Sequence, residues 1–272
     1  MALVLPIQKT MRPRAFARSL LLLVVIVLLG TSCAALKRAS GGSARPGAPH
    51  GRVLFFDDFN GGSLNHSKWQ PNWLGNDNRT VTKPVNGDEA SCYAPSQVSV
   101  GSGTLHLRAV SRRCRASNGH TYSYASGLVN TRQHFTFKYG RMEARVWMPP
   151  GSSRTHNWPA FWADGTGTWP QTGELDVVEG LGGSNCYHFH SPSGGPGGCA
   201  RMGNAGGWHT FAADWRRGRV SYFYDGKLVG TIRQGITNAP MYLILNLGVS
   251  SSISPPIRVP SEMRVDWVRV TA

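Results

Sequence analysis

Apolar and polar residues alternate over short stretches along most of this chain, and glycine, proline or asparagine separates the stretches. Side chains on a strand alternate between its two faces, so this pattern predicts β-strands with one buried face. We expect strands, in order, over residues 53–59, 97–100, 104–110, 126–131, 140–148, 158–163, 174–179, 187–190, 209–215, 219–224, 227–232 and 263–270. Asp225-Gly226 between two of these stretches predicts a tight hairpin turn.

Two more stretches complete the fold prediction. Residues 241–247 are apolar throughout, which indicates a strand buried on both faces, and residues 236–239 are compatible with a short helix. No long amphipathic helical pattern separates the strands, and no internal repeat is visible. We therefore predict an all-β chain whose antiparallel sheets stack as a sandwich.

Residues 174–179, Glu-Leu-Asp-Val-Val-Glu, place three carboxylates on one predicted strand. Strict alternation puts Glu174 and Asp176 on one face and Glu179 on the other. A β-bulge at Val177 or Val178 adds one residue and turns Glu179 to the face of the other two acids. Clustered carboxylates raise one another's pKa, which is costly unless chemistry uses it. Glycoside cleavage uses carboxylates in two roles, as nucleophile and as acid, so we predict this chemistry.

Aromatic and histidine side chains surround the acids in the sequence. Indole rings stack against the C–H faces of sugars, so we expect Trp158 and Trp169 to bind substrate, whereas Trp162 is equally compatible with the core. His188 and His190 share one face of the next strand, and neither has metal-ligand spacing with other histidines or cysteines, so we do not expect zinc from the sequence. We expect His190 to hydrogen-bond the substrate or the nucleophile. His188 is equally compatible with a polar strand end.

The pattern Glu174-x-Asp176-x-x-Glu179, preceded by Trp169-Pro-x-x-Gly173, resembles the active-site signature of family 16 glycoside hydrolases in its bulged, laminarinase-like form. Other stretches resemble further strands of that family in the same order, namely 56–69, 139–149, 208–226 and 265–270. The resemblance covers residues 53–272. Because several motifs agree in order, it is more specific than the acid motif alone.

This resemblance implies a role for each acid. Glu174 is expected to be the nucleophile, Glu179 the general acid/base, and Asp176 the carboxylate that tunes their charge. The family retains anomeric configuration and folds as a β-jelly roll with a concave cleft. A retaining enzyme needs its two carboxyl groups about 5–5.5 Å apart. Along an extended strand the two glutamates lie further apart, so sheet curvature and the bulge must make them converge.

The resemblance also implies the substrate class. We expect an endo-acting hydrolase of β-1,3- or mixed β-1,3/β-1,4-glucans, working as a monomer without a catalytic cofactor. The alternatives are a related activity on a galactan such as agarose or carrageenan, transglycosylation, and binding of carbohydrate without catalysis. Asn86 lies in a loop that would border the cleft and contact substrate.

A structural calcium ion is a further implication, at Asp58 and Asp266 near the two ends of the domain. Calcium takes six to eight oxygen ligands, and these two carboxylates supply only part of such a set.

The N-terminal region predicts export. Residues 1–35 combine a basic segment, an apolar run over 20–29 and small residues suited to cleavage, as a signal peptide does, whether the chain starts at Met1 or Met11. The apolar run is short for a transmembrane span. Cys33 leaves open a lipid anchor of the bacterial lipoprotein type, so we expect either secretion or anchoring at the cell surface. Residues 36–52 predict a flexible linker before the catalytic domain at 53–272.

The chain is strongly basic, with a formal net charge of +15; losing residues 1–35 removes four positive charges and no negative one, leaving +11. This charge is compatible with attraction to an acidic polymer, but simple solubility explains it as well. The arginines are scattered and no basic run alternates with aromatic residues, so we do not predict nucleic-acid binding.

The cysteines support an oxidising compartment. Beyond Cys33 there are four, which predicts two disulfides in an exported protein. Of the three pairings, we favour the two that each bracket a loop-rich stretch, Cys92–Cys114 and Cys186–Cys199. The second would lie near the cleft.

Overall fold

The computed structural model describes Gly47 and residues 51–272. Within these residues the strands are β1 (Val53–Asp57), β2 (Ser91–Tyr93), β3 (Val98–Gly101), β4 (Thr104–Ala109), β5 (Cys114–Arg115), β6 (Thr121–Tyr122), β7 (Tyr124–Ser126), β8 (Leu128–Asn130), β9 (Gly140–Met148), β10 (Trp158–Gly165), β11 (Glu174–Leu181), β12 (Ser184–His190), β13 (Gly197–Cys199), β14 (Gly207–Arg216), β15 (Arg219–Tyr224), β16 (Lys227–Ile232), β17 (Met241–Gly248) and β18 (Ser261–Thr271). One short 3₁₀ helix, Pro95–Gln97, precedes β3.

The strands form two large sheets. The eight-stranded sheet has the order β16-β15-β14-β9-β18-β4-β3, with β1 also paired to β18, and the six-stranded sheet has the order β13-β12-β11-β10-β17-β8. Neighbouring strands in both sheets are antiparallel. Two small sheets pair β2 with β7 and β5 with β6. The predicted antiparallel architecture is confirmed.

Apolar side chains from both large sheets form one core. Alternate residues of β9 are buried, and its intervening residues, such as Arg145, are partly exposed. The buried residues of β9 join those of the facing sheet in one cluster, which includes Met142, Val146, Leu175 and Phe189. The period of two along the strand therefore separates a core face from an outer face, as the sequence predicts.

The apolar strand β17 is buried along its whole length. Leu243 and Leu245 contribute to the core between the sheets, whereas Tyr242 and Ile244 pack on the other side in a second cluster with Trp162. The prediction of a strand buried on both faces is confirmed. The second cluster lies under the outer surface of the six-stranded sheet, where the candidate site is found.

Several local predictions differ from the structure; the strand predicted over residues 126–131, for example, is divided between β7 and β8. Residues 236–239 form no helix: Thr237 Oγ1 instead donates a hydrogen bond to the Thr172 carbonyl at 2.8 Å, and the following Pro240 disfavours helical backbone at the residue before it. The first strand ends at Asp57 rather than at Phe59, because Asp57 Oδ1 accepts the Phe59 N–H at 3.1 Å and turns the chain.

Both predicted disulfides are confirmed as Cys92–Cys114 and Cys186–Cys199. The predicted signal segment with Cys33, and the linker apart from Gly47, Gly51 and Arg52, lie outside the described residues and stay predictions. Among the residues that are described, no helix has the length and apolar character needed to cross a membrane.

Candidate active site

A β-bulge interrupts β11 at the acid motif. Its ladder with β12 pairs Asp176 with His188 and Glu179 with Cys186, so two residues of β11 lie opposite one residue of β12. The ladder with β10 shifts register at the same place. Both residues of the bulge are fully buried in the core: Val177 and Val178. Because two consecutive side chains point inward, the next one points outward again, as the sequence predicts.

The bulge brings the three acids together on the outer face of the six-stranded sheet. Glu174, Asp176 and Glu179 line one open cavity of about 800 Å³. Asp176 is the most enclosed of the three, at 2% exposure. A cavity of this volume accommodates a small ligand or a short segment of a polymer.

Neighbouring strands hold both oxygens of the Glu179 carboxylate. Trp158 on β10 donates its indole N–H to Oε1 at 2.9 Å. His188 on β12 places its Nδ1 2.8 Å from Oε2. Two contacts from opposite sides restrict rotation of the carboxyl group, so Glu179 is presented to the cavity in one orientation.

Glu174 and Asp176 form a buried acidic pair. Burial is the main cause that raises the pKa of Glu174, the charge of Asp176 raises it further, and His190 opposes the rise. Burial also raises the pKa of Asp176 well above its ordinary value, with a contribution from Glu179, while a hydrogen bond with Glu174 acts in the other direction. The pair therefore favours holding a proton between its two carboxyl groups.

A chain of hydrogen bonds runs along the cavity floor. Trp162 donates its indole N–H to Asn246 Oδ1 at 2.7 Å, and Asn246 Nδ2 donates to the Tyr93 hydroxyl at 2.8 Å. The Tyr93 hydroxyl in turn donates to Glu89. Glu89 also accepts the backbone N–H of Val85 at 3.0 Å, and burial raises its pKa to about 7. This chain ties the loop 85–89 to the floor of the cavity.

The residues predicted to bind substrate all line the cavity: Trp158, Trp169, His190 and Asn86. Trp169 is 56% exposed at the rim, with its ring centroid 6.5 Å from that of His190. Trp162, which the sequence left open, is only 6% exposed and stacks on Trp73 at 5.8 Å between ring centroids, and both tryptophans line the cavity. Trp162 is therefore part of both the apolar packing and the candidate site.

The cavity residues that sequence reasoning missed include Trp73, Glu89, Asp164 and Asn246. Two of them carried a signal. Asp164 continues the alternation of Trp158 and Trp162 on β10, and Asn246 is the polar exception in the apolar strand β17. Burial raises the pKa of Asp164 to about 6, and the Tyr242 hydroxyl donates to it at 2.9 Å. Trp73 and Glu89 lie outside any periodic stretch.

The contacts of Asp58 and Asp266 do not fit a calcium site. Arg145 Nη1 lies 2.7 Å from Asp266 Oδ2, so a guanidinium already occupies the position that a cation would take. Asp58 Oδ2 accepts a hydrogen bond from Asn60 Nδ2 at 2.7 Å. A structural calcium ion stays a prediction, and a thermal melt unchanged by a chelator would count against it.

Three carboxyl groups, a buried pair that shares a proton and a third group held by its neighbours, together supply a nucleophile and an acid in one open cleft. On this fold and with these aromatic walls, the combination defines a glycoside hydrolase. The family model described as Glycosyl hydrolases family 16 matches residues 86–269, and the chain belongs to this family.

Individual relatives agree with this assignment. The chain is 30% identical to the "Glucan endo-1,3-beta-glucosidase A1" of Niallia circulans, over 80% of this chain and 37% of that protein. It is also 30% identical to the "Endo-1,3-1,4-beta-glycanase EglC" of Rhizobium meliloti (strain 1021), over 79% of this chain and 50% of that protein. The chain thus spans half or less of the length of these curated relatives.

Among solved structures, the endo-beta-1,3-glucanase of Pyrococcus furiosus superposes with a TM-score of 0.68 and 25% identity. The match covers 81% of this chain and 94% of that one. The predicted jelly-roll sandwich and the predicted family are both confirmed.

Proposed function

We propose that this protein is an endo-acting β-glucanase that cleaves β-1,3- or mixed β-1,3/β-1,4-glucans with retention of anomeric configuration. The observation that carries the proposal is the bulge in β11, which turns Glu179 to the same cavity as Glu174 and Asp176. The names of the relatives support the choice of β-glucan as substrate.

In the first step Glu174 attacks the anomeric carbon, and Glu179 gives its proton to the departing glycosidic oxygen. The C–O bond to the leaving sugar breaks as the glycosyl–Glu174 ester forms. Glu174 must be ionised for this attack although its pKa is raised. We assign the proton of the acidic pair to Asp176, which is more deeply buried and hydrogen-bonds Glu174, so that Glu174 carries the negative charge.

In the second step Glu179, now ionised, takes a proton from water while the water oxygen attacks the anomeric carbon. The ester bond breaks and Glu174 is released as a carboxylate. Trp158 and His188 hold the Glu179 carboxyl group in both steps. Two inversions at one carbon leave the configuration unchanged, which is the stereochemical signature of this mechanism.

The aromatic walls indicate how a glucan chain lies in the cleft. Trp169 presents an exposed ring at the rim, and the stacked pair Trp73–Trp162 provides a second apolar surface. Rings at separate positions contact several sugars at once, which suits a polymer rather than a single sugar.

A polysaccharide panel tests the proposal. The purified protein should release reducing ends from laminarin or barley mixed-linkage glucan, and the first product, followed by NMR, should be the β-anomer. Activity on agarose or carrageenan alone would replace glucan by a galactan. Products longer than the substrate at high oligosaccharide concentration would indicate transfer instead of hydrolysis. Retention of laminarin without any product would indicate a binding protein.

We propose also that the protein is exported and acts as a monomer. The two disulfides support export, because such bonds persist in oxidising compartments. Cell fractionation with metabolic labelling by a fatty acid separates a released protein from one anchored at Cys33, and size-exclusion chromatography tests the monomer.

A further inference from the structure

Two histidines and one carboxylate converge beside the catalytic acids. In the described part of the chain, Asp176, His188 and His190 each offer a ligand-type atom, and these atoms all lie within 4.8 Å of one another. Among the described residues Asp176 Oδ2 is buried without a hydrogen-bond partner, and its ion-pair contact is His190 Nε2 at 3.4 Å. Buried polar atoms nearly always have a partner, so this oxygen is a candidate to bind a ligand.

The distances fit a transition-metal ion. Zinc binds histidine nitrogen and carboxylate oxygen at about 2.0–2.2 Å, so two such atoms on a tetrahedral ion lie roughly 3.3 Å apart. His190 Nε2 lies 3.4 Å from Asp176 Oδ2, which matches this separation without any movement. His188 offers the third ligand atom, which lies within 4.8 Å of the other two.

A neighbouring carboxylate orients His188 for this role. Its Nδ1 lies 2.8 Å from Glu179 Oε2, and a histidine that donates one N–H to a carboxylate keeps its other nitrogen free to bind a metal. Such an outer carboxylate is a regular partner of metal-bound histidines.

Two glycines pack directly against the histidine rings. A Cβ atom at Gly197 would lie 1.9 Å from His188 Cδ2, and one at Gly195 would lie 2.4 Å from His190 Nδ1. The disulfide Cys186–Cys199 ties this glycine-rich segment to β12. Close packing limits ring movement, so the two imidazoles are held near each other before an ion arrives.

We propose that Asp176, His188 and His190 bind one divalent transition-metal ion, with zinc as the best match, and that the bound ion reversibly inhibits the enzyme. The inhibition, though not the binding, rests on the function proposed above. The ion binds Asp176, which otherwise shares a proton with Glu174, and it binds the ring of His188, whose Nδ1 contacts Glu179. Imidazole ligands favour zinc, copper and nickel, whereas calcium and magnesium prefer sets made of oxygen. Calcium and magnesium should therefore not inhibit.

Calorimetric titration of the metal-free full chain with ZnCl₂ tests the binding. We expect one ion per chain, and CoCl₂ should give the visible absorption of tetrahedral cobalt. His190→Ala and Asp176→Asn should each weaken zinc binding at least about tenfold, since even the loss of a residue behind a metal ligand costs 10–100-fold in affinity. His134→Ala, at an exposed histidine elsewhere, is the matched control and should bind like the parent.

Zinc binding that is absent in the parent, or that persists unchanged in both site variants, would overturn the inference. Circular dichroism of each variant separates loss of the site from loss of the fold, and His188→Ala provides a third variant if one fails to fold. If the parent hydrolyses no glucan, the calorimetry still decides whether the metal binds, so the two proposals fail separately. If it does hydrolyse glucan, ZnCl₂ should inhibit and EDTA should restore the rate.

Discussion

Acidic residues on the outer faces of the two large sheets have different kinds of ion-pair partner. On the eight-stranded sheet, Arg269 lies 2.7 Å from Glu143, and Arg145 lies 2.7 Å from Asp266. On the six-stranded sheet, the ion-pair partners that the described residues provide for Glu174, Asp176 and Glu179 are histidines. The same residue type is thus neutralised by a permanent cation on one face and left reactive on the other.

The difference follows from electrostatics. An arginine beside a carboxylate stabilises the charged form and occupies its oxygens. Burial without such a partner disfavours the charged form, which is the main cause of the raised pKa values of Glu174 and Asp176. On the outer face of the six-stranded sheet the acids therefore keep protons and oxygens available for chemistry. Burying them without a permanent cation lowers the stability of the fold. The predictions below compare the two faces, beginning with the largest expected effect.

Glu174→Gln should lower kcat/KM on the best glucan at least about a thousandfold, because the nucleophile is lost. Glu143→Gln, the same substitution on the opposite face, should leave kcat/KM within about twofold, because Glu143 does not line the cavity. Reducing-end assays on both variants measure the contrast. Equal losses of kcat/KM in the two variants would contradict the claim that only the acids of the six-stranded sheet take part in catalysis.

Trp158→Phe should lower kcat about 10–100-fold with little change in KM, since it removes a hydrogen bond to a charged group worth about 1.5–3 kcal/mol but keeps an aromatic ring. Trp147→Phe on the eight-stranded sheet is the control, because its ring stacks under Arg264 at 4.4 Å, away from the cleft. A rise in KM alone would assign Trp158 to substrate stacking rather than to holding Glu179.

The two glutamine variants should change stability in opposite directions. The pKa values of Glu174 and Asp176 are both raised on folding, so the folded pair binds more protons than the unfolded chain and loses stability as pH rises above the unfolded value of about 4.3. Glu174→Gln should therefore raise Tm at pH 7, with no gain at pH 4. Glu143→Gln should lose about 1–3 kcal/mol at pH 7, because it strips Arg141 and Arg269 of a partner. Thermal melts at both pH values check the signs.

Glu89→Gln should change the pH dependence of KM more than it changes kcat. Burial raises the pKa of Glu89 to about 7, so above that pH the buried charge favours loop conformations in which the segment 85–89 exposes it to water. KM of the parent should rise severalfold through a midpoint near pH 7, and Glu89→Gln should flatten this rise. A variant with the parent's midpoint would show that another group titrates there.

Local signals predicted most strand positions. Gly140–Met148, Arg219–Tyr224 and Lys227–Ile232 have the predicted bounds, because alternation and turn residues are both readable over a few neighbours. The predicted helix over 236–239 failed because a contact with Thr172, 65 residues away, holds that segment. Loop segments without periodicity depend on such distant contacts.

The sequence by itself determined the alternation, the spacing of the acids and the need for a bulge, because these depend on residues adjacent in the chain. Only the tertiary structure decided which groups surround the acids. Glu89, Asn246 and Trp162 come from three segments and meet through hydrogen bonds along the floor of the cleft. The repeating pattern of apolar and polar residues does not predict these contacts. They follow from the order in which the strands pair and from the sheet that each strand joins.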